Sequence, residues 1–474
     1  MFPVRRCSSL IQRDLTALCL SSLGSAQKQP ASGKHALSPR SIHAGSRCGE
    51  FCTGPRELHT SRSSQSLPGQ RKPQYTPGCV VVLEKVRHGA ATVHSLSKNR
   101  RRWRSTHQPR ACQMGSSSVR FFSSLAQSLS SAPLEHMHTD AEECEPELAD
   151  PEALLRQCEE VLRKRPPRPN REFIRTRTNA AHDPQIRVMQ WNILAQALGE
   201  GKDSFVRCPM EALVWSERKY LILEEILTYR PDIVCLQEVD HYYDTFQPVM
   251  SSLGYQSSFC PKPCSPCLDV CGNNGPDGCA LFFSRERFRL LHVNHLRLSA
   301  MALKTNQVAV VATLQCQVTG RVFCVAVTHL KARSGWETFR GAQGANLLQQ
   351  LKAILSAQQD EDVPLFVCGD FNAEPGEEVY RRFMNSPLGL DSAYRTLSAA
   401  EPSYTTWKIR PSGESCTTLD YVWFSRHGFS VDGVLSMPSE EQIGPDRLPS
   451  YHYPSDHLSL VCDFSFIQEP HRLM

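Results

Sequence analysis

Val308-Ala309-Val310-Val311-Ala312-Thr313-Leu314-Gln315-Cys316 and Val322-Phe323-Cys324-Val325-Ala326-Val327-Thr328 are two apolar runs joined by Val318-Thr319-Gly320-Arg321. Dense β-branched residues around a short turn with glycine predict a β-hairpin. Working outward, six further strand-like runs stand at Ile186–Ile193, Asp232–Leu236, Cys279–Phe283, Leu365–Cys368, Leu419–Phe424 and Leu458–Asp463. Between them, Met210–Tyr229 and Gly341–Leu355 carry apolar residues at three-and-four spacing, with a shorter helical run at Glu377–Met384. A hairpin mixed with strand–helix–strand units predicts an α/β fold of two packed sheets with helices outside.

Charge divides the chain. Up to residue 134 there are twenty Lys and Arg against four acids, a net +16; the remaining 33 basic and 44 acidic residues leave −11. Three parts are expected: a basic, Ser/Arg-rich targeting region over 1–134, an acidic leader with a short helix and Pro-rich linker over 135–184, and a catalytic domain over 185–474. The Arg-bearing, nearly acid-free start through Leu20 has the composition of a mitochondrial transit peptide. Met114-Gly115-Ser116-Ser117-Ser118 approaches a myristoylation signal but has Val119 where Ser or Thr is wanted. Phe121, Phe122, Leu125 and Leu129 are spaced for a second targeting helix, or for a solvated linker. No stretch reaches the roughly 18 apolar residues of a membrane span. An acidic body weighs against a polyanion gripped over many phosphates and suits a small anion in a local cationic pocket.

Four segments end an apolar run with a polar, phosphate-handling residue: Met189-Gln190-Trp191-Asn192, Cys235-Leu236-Gln237-Glu238, Cys368-Gly369-Asp370-Phe371-Asn372 and Pro454-Ser455-Asp456-His457. Glu238 is the natural ligand for a hard cation such as Mg²⁺, which takes one or two carboxylates plus waters and phosphate. Asp370 can activate or orient a water, with Gly369 relaxing the backbone, and Asn372 can donate to a phosphate oxygen. Asp420 is assigned to orient His457, and His457 to hydrogen-bond the scissile phosphoryl group. His329, Lys331 and Arg333 alternate beyond a strand end as a phosphate cradle, or as a charged edge. Cys260, Cys264, Cys267 and Cys271 are spaced for zinc, although all four would come from one loop.

Taken together these segments resemble the endonuclease/exonuclease/phosphatase superfamily over about residues 184 to 466. The runs Ile186–Gly199, Thr328–Arg333, Tyr404–Arg410 and Tyr453–Leu460 carry the resemblance to one branch of it. The resemblance implies a four-layer α/β/β/α sandwich, one Mg²⁺ on Glu238, and hydrolysis of the 2′-phosphate of NADP⁺ and NADPH. It implies substrate contacts from Glu238, Lys262, Asn306, Lys331, Arg333 and Arg410, and a reacting centre of Asn192, His329, Asp370, Asn372, Asp420 and His457. A monomer in mitochondrion and cytoplasm, with nuclear or perinuclear presence, mRNA or protein partners and a link to circadian metabolism, is also implied. The rival within enzymes is a poly(A)-specific 3′-exonuclease, which would need basic grooves and stacking platforms. The rival outside them is an mRNA-regulatory module, which the presence of every catalytic side chain argues against.

Overall fold

The structure, a computed structural model, describes residues 148–176, 185–358 and 362–467. The basic head and its targeting signals lie outside these residues. In chain order the described part begins with helix α1 (Pro151–Leu162), strand β1 (Phe173–Arg175), β2 (Ile186–Asn192), helix α2 (Trp215–Tyr229) and β3 (Ile233–Val239). β4 (Tyr255–Pro261), β5 (Gly278–Ser284), β6 (Phe288–Ala300), β7 (Leu303–Cys316) and β8 (Val322–His329) follow. Then come α3 (Glu337–Ser356), β9 (Leu365–Asp370), α4 (Glu378–Met384), β10 (Leu390–Ser392), β11 (Thr406–Arg410) and β12 (Gly413–Thr417). β13 (Asp420–Ser425), β14 (Phe429–Leu435) and β15 (Leu460–Phe466) complete the strands of the described residues.

One sheet has the order β1-β14-β15-β2-β3-β5-β4, the other β10-β13-β9-β8-β7-β6, and β11–β12 form a separate ribbon. Alternation of side chains across each strand builds the layers. Val188, Ile233, Cys235, Leu281 and Phe283 of the first sheet meet Val310, Val325, Val327, Phe366 and Cys368 of the second in the central core. Met189, Trp191, Val234 and Leu236 point the other way, onto Ile222 and Ile226 of α2. Ala326, Val367 and Trp423 of the second sheet face Leu347 and Leu351 of α3 and Phe383 of α4. The result is the expected four-layer sandwich.

Strand direction places the site. β2 runs parallel to β3, and β8 parallel to β9. β15 is antiparallel to β2, and β13 is antiparallel to β9 with Asp420 opposite Asp370. The C-terminal ends of four strands and the starts of two others therefore emerge at matching sheet ends. Gly369 owes its place to close packing: a Cβ there would lie 2.5 Å from the Thr328 carbonyl oxygen. This replaces the expected role of relaxing the backbone.

The Met210–Tyr229 run is broken at Val214, whose extended backbone (ψ 120°) separates a single turn, Met210–Leu213, from α2. The unforeseen strands β4 and β6 lie at sheet edges, where polar residues such as Gln256, Ser257, His292 and His295 blur the alternation. Residues 148–176, read as leader, short helix and Pro-rich linker, are built into the sandwich, with the expected short helix present as α1. Leu154, Cys158 and Leu162 of α1 pack on Leu223 and Leu227 of α2, and β1 pairs with β14. Buried Arg171 donates to the Ser459 carbonyl at 2.8 Å and lies 3.3 Å from Glu225.

Leu154→Ala is expected to cost about 2–4 kcal/mol of stability, as for a buried leucine truncated in a packed interface. Denaturant unfolding measures it, and an unchanged midpoint would show α1 to be an unattached appendage.

Candidate active site

Asn192, the last residue of β2, is nearly fully buried. Its Nδ2 donates to Glu238 Oε1 at 3.1 Å and to Asp370 Oδ2 at 3.0 Å. One amide thus ties the first sheet's two strand ends to the second sheet. Glu238 lies within the register shift between Leu236 and Val239 and has a φ of 57°. Such a bulge turns one side chain out of the ladder, at a backbone cost on the order of 1 kcal/mol. Its other oxygen, Oε2, accepts from the Ala195 amide at 3.2 Å. Burial pushes the Glu238 carboxyl up to about 7 against the pull of the Lys262 ammonium, with Asp456 and Asp277 adding to the rise.

The loop holding Ala195 is itself clamped. Leu194 stands at φ 59°, and the buried Arg218 guanidinium of α2 donates to the carbonyls of Leu194 (2.9 Å) and Ile193 (3.3 Å). Burial pulls Arg218 down to about 10.

Asp370 ends β9. Its Oδ1 accepts from the Asn372 amide at 2.8 Å, and its Oδ2 lies 3.5 Å from His329 Nε2 and 3.7 Å from His457 Nε2. Burial raises the Asp370 carboxyl, Asp420 adds to this, and His457 opposes it. His457 Nδ1 is 2.8 Å from Asp420 Oδ2, which also accepts from Thr405 Oγ1 at 2.7 Å. Burial disfavours the charged imidazole, yet the Asp420 and Asp370 carboxylates outweigh it and hold His457 up at about 9. His329 is the opposite case: burial, helped by Lys262, keeps it well below the usual histidine range. One imidazole is therefore a cation and the other neutral. Each can serve a different end of a proton-transfer reaction.

Around this floor stands a collar of cations, several with their own carboxylates. Lys262 Nζ donates to Asp277 Oδ2 at 2.5 Å and lies 3.4 Å from His329 Nδ1. Arg410 Nη2 donates to Asp203 Oδ2 at 2.8 Å, its guanidinium over the Phe205 ring. Lys408 pairs with Asp456. Lys331 lies over the Trp336 ring at 5.0 Å, and Arg333 is exposed on left-handed backbone (φ 84°).

The structure thus gathers Asn192, Glu238, His329, Asp370, Asp420 and His457 into one cluster of hydrogen bonds and closely spaced charged groups, with Lys262 joined through His329. Asn372 sits beside it, its amide donating to the Leu330 carbonyl at 3.2 Å. Asn306 is a strut: its Oδ1 accepts from the Cys264 amide at 2.7 Å and its Nδ2 donates to the Cys264 carbonyl at 2.6 Å. It braces the loop that carries Lys262. The zinc reading of that loop fails geometrically. Cys260 belongs to the core, Cys267 is buried against Asp277, and Cys264 and Cys271 are exposed. Among the described residues the only convergent group of three His, Cys, Asp or Glu is Asp370, Asp420 and His457.

Sequence reasoning missed Thr405, Lys408, Asp456, Asp277 and Arg218. Thr405, Lys408 and Asp456 lie inside runs already singled out, whereas nothing local marks Arg218. For a divalent metal the fit is good at Glu238. Each carboxylate oxygen accepts one hydrogen bond and keeps lone pairs free, and a hard cation favours such oxygen donors.

In Asp420→Asn, His457 is expected to titrate near or below the ordinary 6.5 instead of about 9, read by NMR of the imidazole. Because the folded value is raised, its stabilisation in the wild type is complete below 6.5 and is lost as pH rises through about 9. An unmoved His457 titration would remove Asp420 from this role. Arg218→Met should weaken divalent-metal binding by about 10–100-fold, as for loss of a group that orients a ligand. Unchanged metal titration would show that the Arg218 clamp is purely structural.

Comparison with known proteins follows the same outline. The endonuclease/exonuclease/phosphatase family model matches residues 189–457. Mouse nocturnin is 62% identical over 370 residues, covering 76% of this chain and 85% of its own length. The human nocturnin catalytic domain, solved with bound sulfate anion, is 57% identical with a TM-score of 0.54 over 63% of this chain and 99% of that one. ANGEL2, a 2′,3′-cyclic phosphatase solved with adenosine-2′,3′-vanadate, is 26% identical with a TM-score of 0.53 over 62% of this chain and 98% of its own. The chain belongs to the endonuclease/exonuclease/phosphatase family and, within it, to the nocturnins.

Proposed function

We propose that this hydrolase is a Mg²⁺-dependent phosphatase that removes the 2′-phosphate of NADP⁺ and NADPH, giving NAD⁺ and NADH. The observation that carries the reading is the collar. Lys262 beside His329, and Lys408 and Arg410 beside Asp456 and His457, stand around Asp370, and each is anchored by a carboxylate. Such an arrangement suits a compact anion, and the sulfate found with the human relative has that size and charge.

Asp370, raised by burial, accepts the proton of the attacking water. The P–O bond to the ribose 2′-oxygen breaks, that oxygen takes a proton from solvent to become a hydroxyl while Asp370 returns its proton to solvent, and inorganic phosphate leaves. His457, kept charged by Asp420, donates from Nε2 to a phosphoryl oxygen as charge builds. Asn192 fixes Asp370 against Glu238, so the base stays where the water must sit. Glu238 would hold Mg²⁺, which supplies Lewis-acid neutralisation of the phosphoryl oxygens. Phosphate monoesters hydrolyse extremely slowly unaided, so charge stabilisation on this scale is required. The transit-like composition of the head supports placement in the mitochondrion. No helix among the described residues is long and apolar enough to cross a membrane.

Purified protein with Mg²⁺ is expected to release phosphate from NADPH and to lose this on chelation. Release of AMP from oligo(A) without NADPH turnover would establish the 3′-exonuclease instead. Glu238→Ala and His457→Ala should each lower turnover by about 100-fold or more, the scale of losing a preorganised charge-stabilising group. Either variant retaining activity with its fold intact removes that residue from the mechanism.

A further inference from the structure

We infer that Lys408 is a substrate-binding residue that makes this site prefer a terminal phosphomonoester to an internal phosphodiester. The inference rests on the phosphatase reading above and goes beyond it to the class of phosphate selected. Lys408 lies on β11, where the ribbon is stitched to the segment before β15. Thr406 bridges to His457 and its hydroxyl donates to the Asp456 carbonyl at 2.6 Å, while the Leu458 amide donates to the Thr405 carbonyl at 2.7 Å. These bonds bring Lys408 Nζ to 3.3 Å from His457 Nε2, the atom that faces Asp370.

His457 Nδ1 is occupied by Asp420. Burial opposes a charge on His457, but the Asp420 and Asp370 carboxylates favour it, so its Nε2–H and the Lys408 ammonium are two donors side by side and neither can accept from the other. Asp456 Oδ2 relieves this in part: it pairs with Lys408 and lies 3.8 Å from His457 Nε2 and 3.5 Å from Arg410. One carboxylate serving three cationic groups leaves N–H donors over. An oxyanion seated against both nitrogens satisfies them.

A terminal phosphoryl group carries about two negative charges at neutral pH and three acceptor oxygens. An internal diester has one charge and two free oxygens, so it cannot serve His457, Lys408 and a metal on Glu238 with an oxygen each. A clamp acting only on Asp456 would not need Lys408 at hydrogen-bonding distance from His457 Nε2. Arg410 already reaches that carboxylate.

The test is calorimetric titration of the full chain with Mg²⁺, using 2′-AMP as the monoester and the dinucleotide ApA as the diester. Wild type should bind 2′-AMP more tightly. Lys408→Gln should weaken 2′-AMP by about tenfold or more and ApA by less than about threefold, as for loss of one charge-assisted hydrogen bond. Lys408→Arg should restore most of the difference, which separates ligand contact from a folding defect. Equal losses for both ligands, or none, overturn the proposal, as does a wild type without preference. If wild type prefers 2′-AMP through Lys408 but does not turn over NADPH, the NADPH assignment fails and the monoester selection stands.

Discussion

The Asn192 side chain, donating at once to Glu238 and Asp370, is the contact on which the site depends. Glu238 belongs to one sheet and Asp370 to the other. The distance between the Glu238 and Asp370 carboxylates is thus set by how the two sheets stack. The sheets are held apart by alternate residues such as Val188, Cys235, Val325 and Phe366. A core packed to that density transmits small displacements, so changes far below the cleft would be felt at its floor.

Above that floor, the electrostatics follow from pairing. Asp420 and Asp370 make His457 a cation while burial beside Lys262 makes His329 neutral. Two histidines of the same type thus acquire different roles from their surroundings. Lys408, His457 and Arg410, in spite of burial, hold Asp456 well below the usual carboxylate range. The cleft is a lattice of fixed charges rather than a broad positive surface, and this matches the net acidity of the chain beyond its basic head.

Strained backbone recurs at this lattice. Leu194, Glu238, Arg333 and Asn372 all have positive φ. Each stands where a strand hands over to a loop at the cleft. The surrounding hydrogen bonds offset the strain, with Arg218 holding the Leu194 carbonyl and the Leu330 carbonyl holding Asn372. Preorganisation of this kind is what a charge-stabilising site needs.

The sequence by itself determined the layered α/β fold and pointed to most of the residues that cluster at its strand ends. Apolar runs as dense as those at 308–328 form strands wherever they pack, and Asn192, Glu238, Asp370 and His457 follow such runs directly. Edge strands β4 and β6 were illegible because one side of an edge faces solvent and tolerates polar residues. Tertiary structure alone decided that Asn306 braces a loop, that the four loop cysteines do not converge, and that 148–176 joins the sandwich. It also decided that Thr405, Lys408 and Arg218 serve the site. Their roles depend on partners such as Asp420, His457 and Leu194 reached through folding. Local spacing encodes which face of a strand is buried; it does not encode which distant residue will stand opposite.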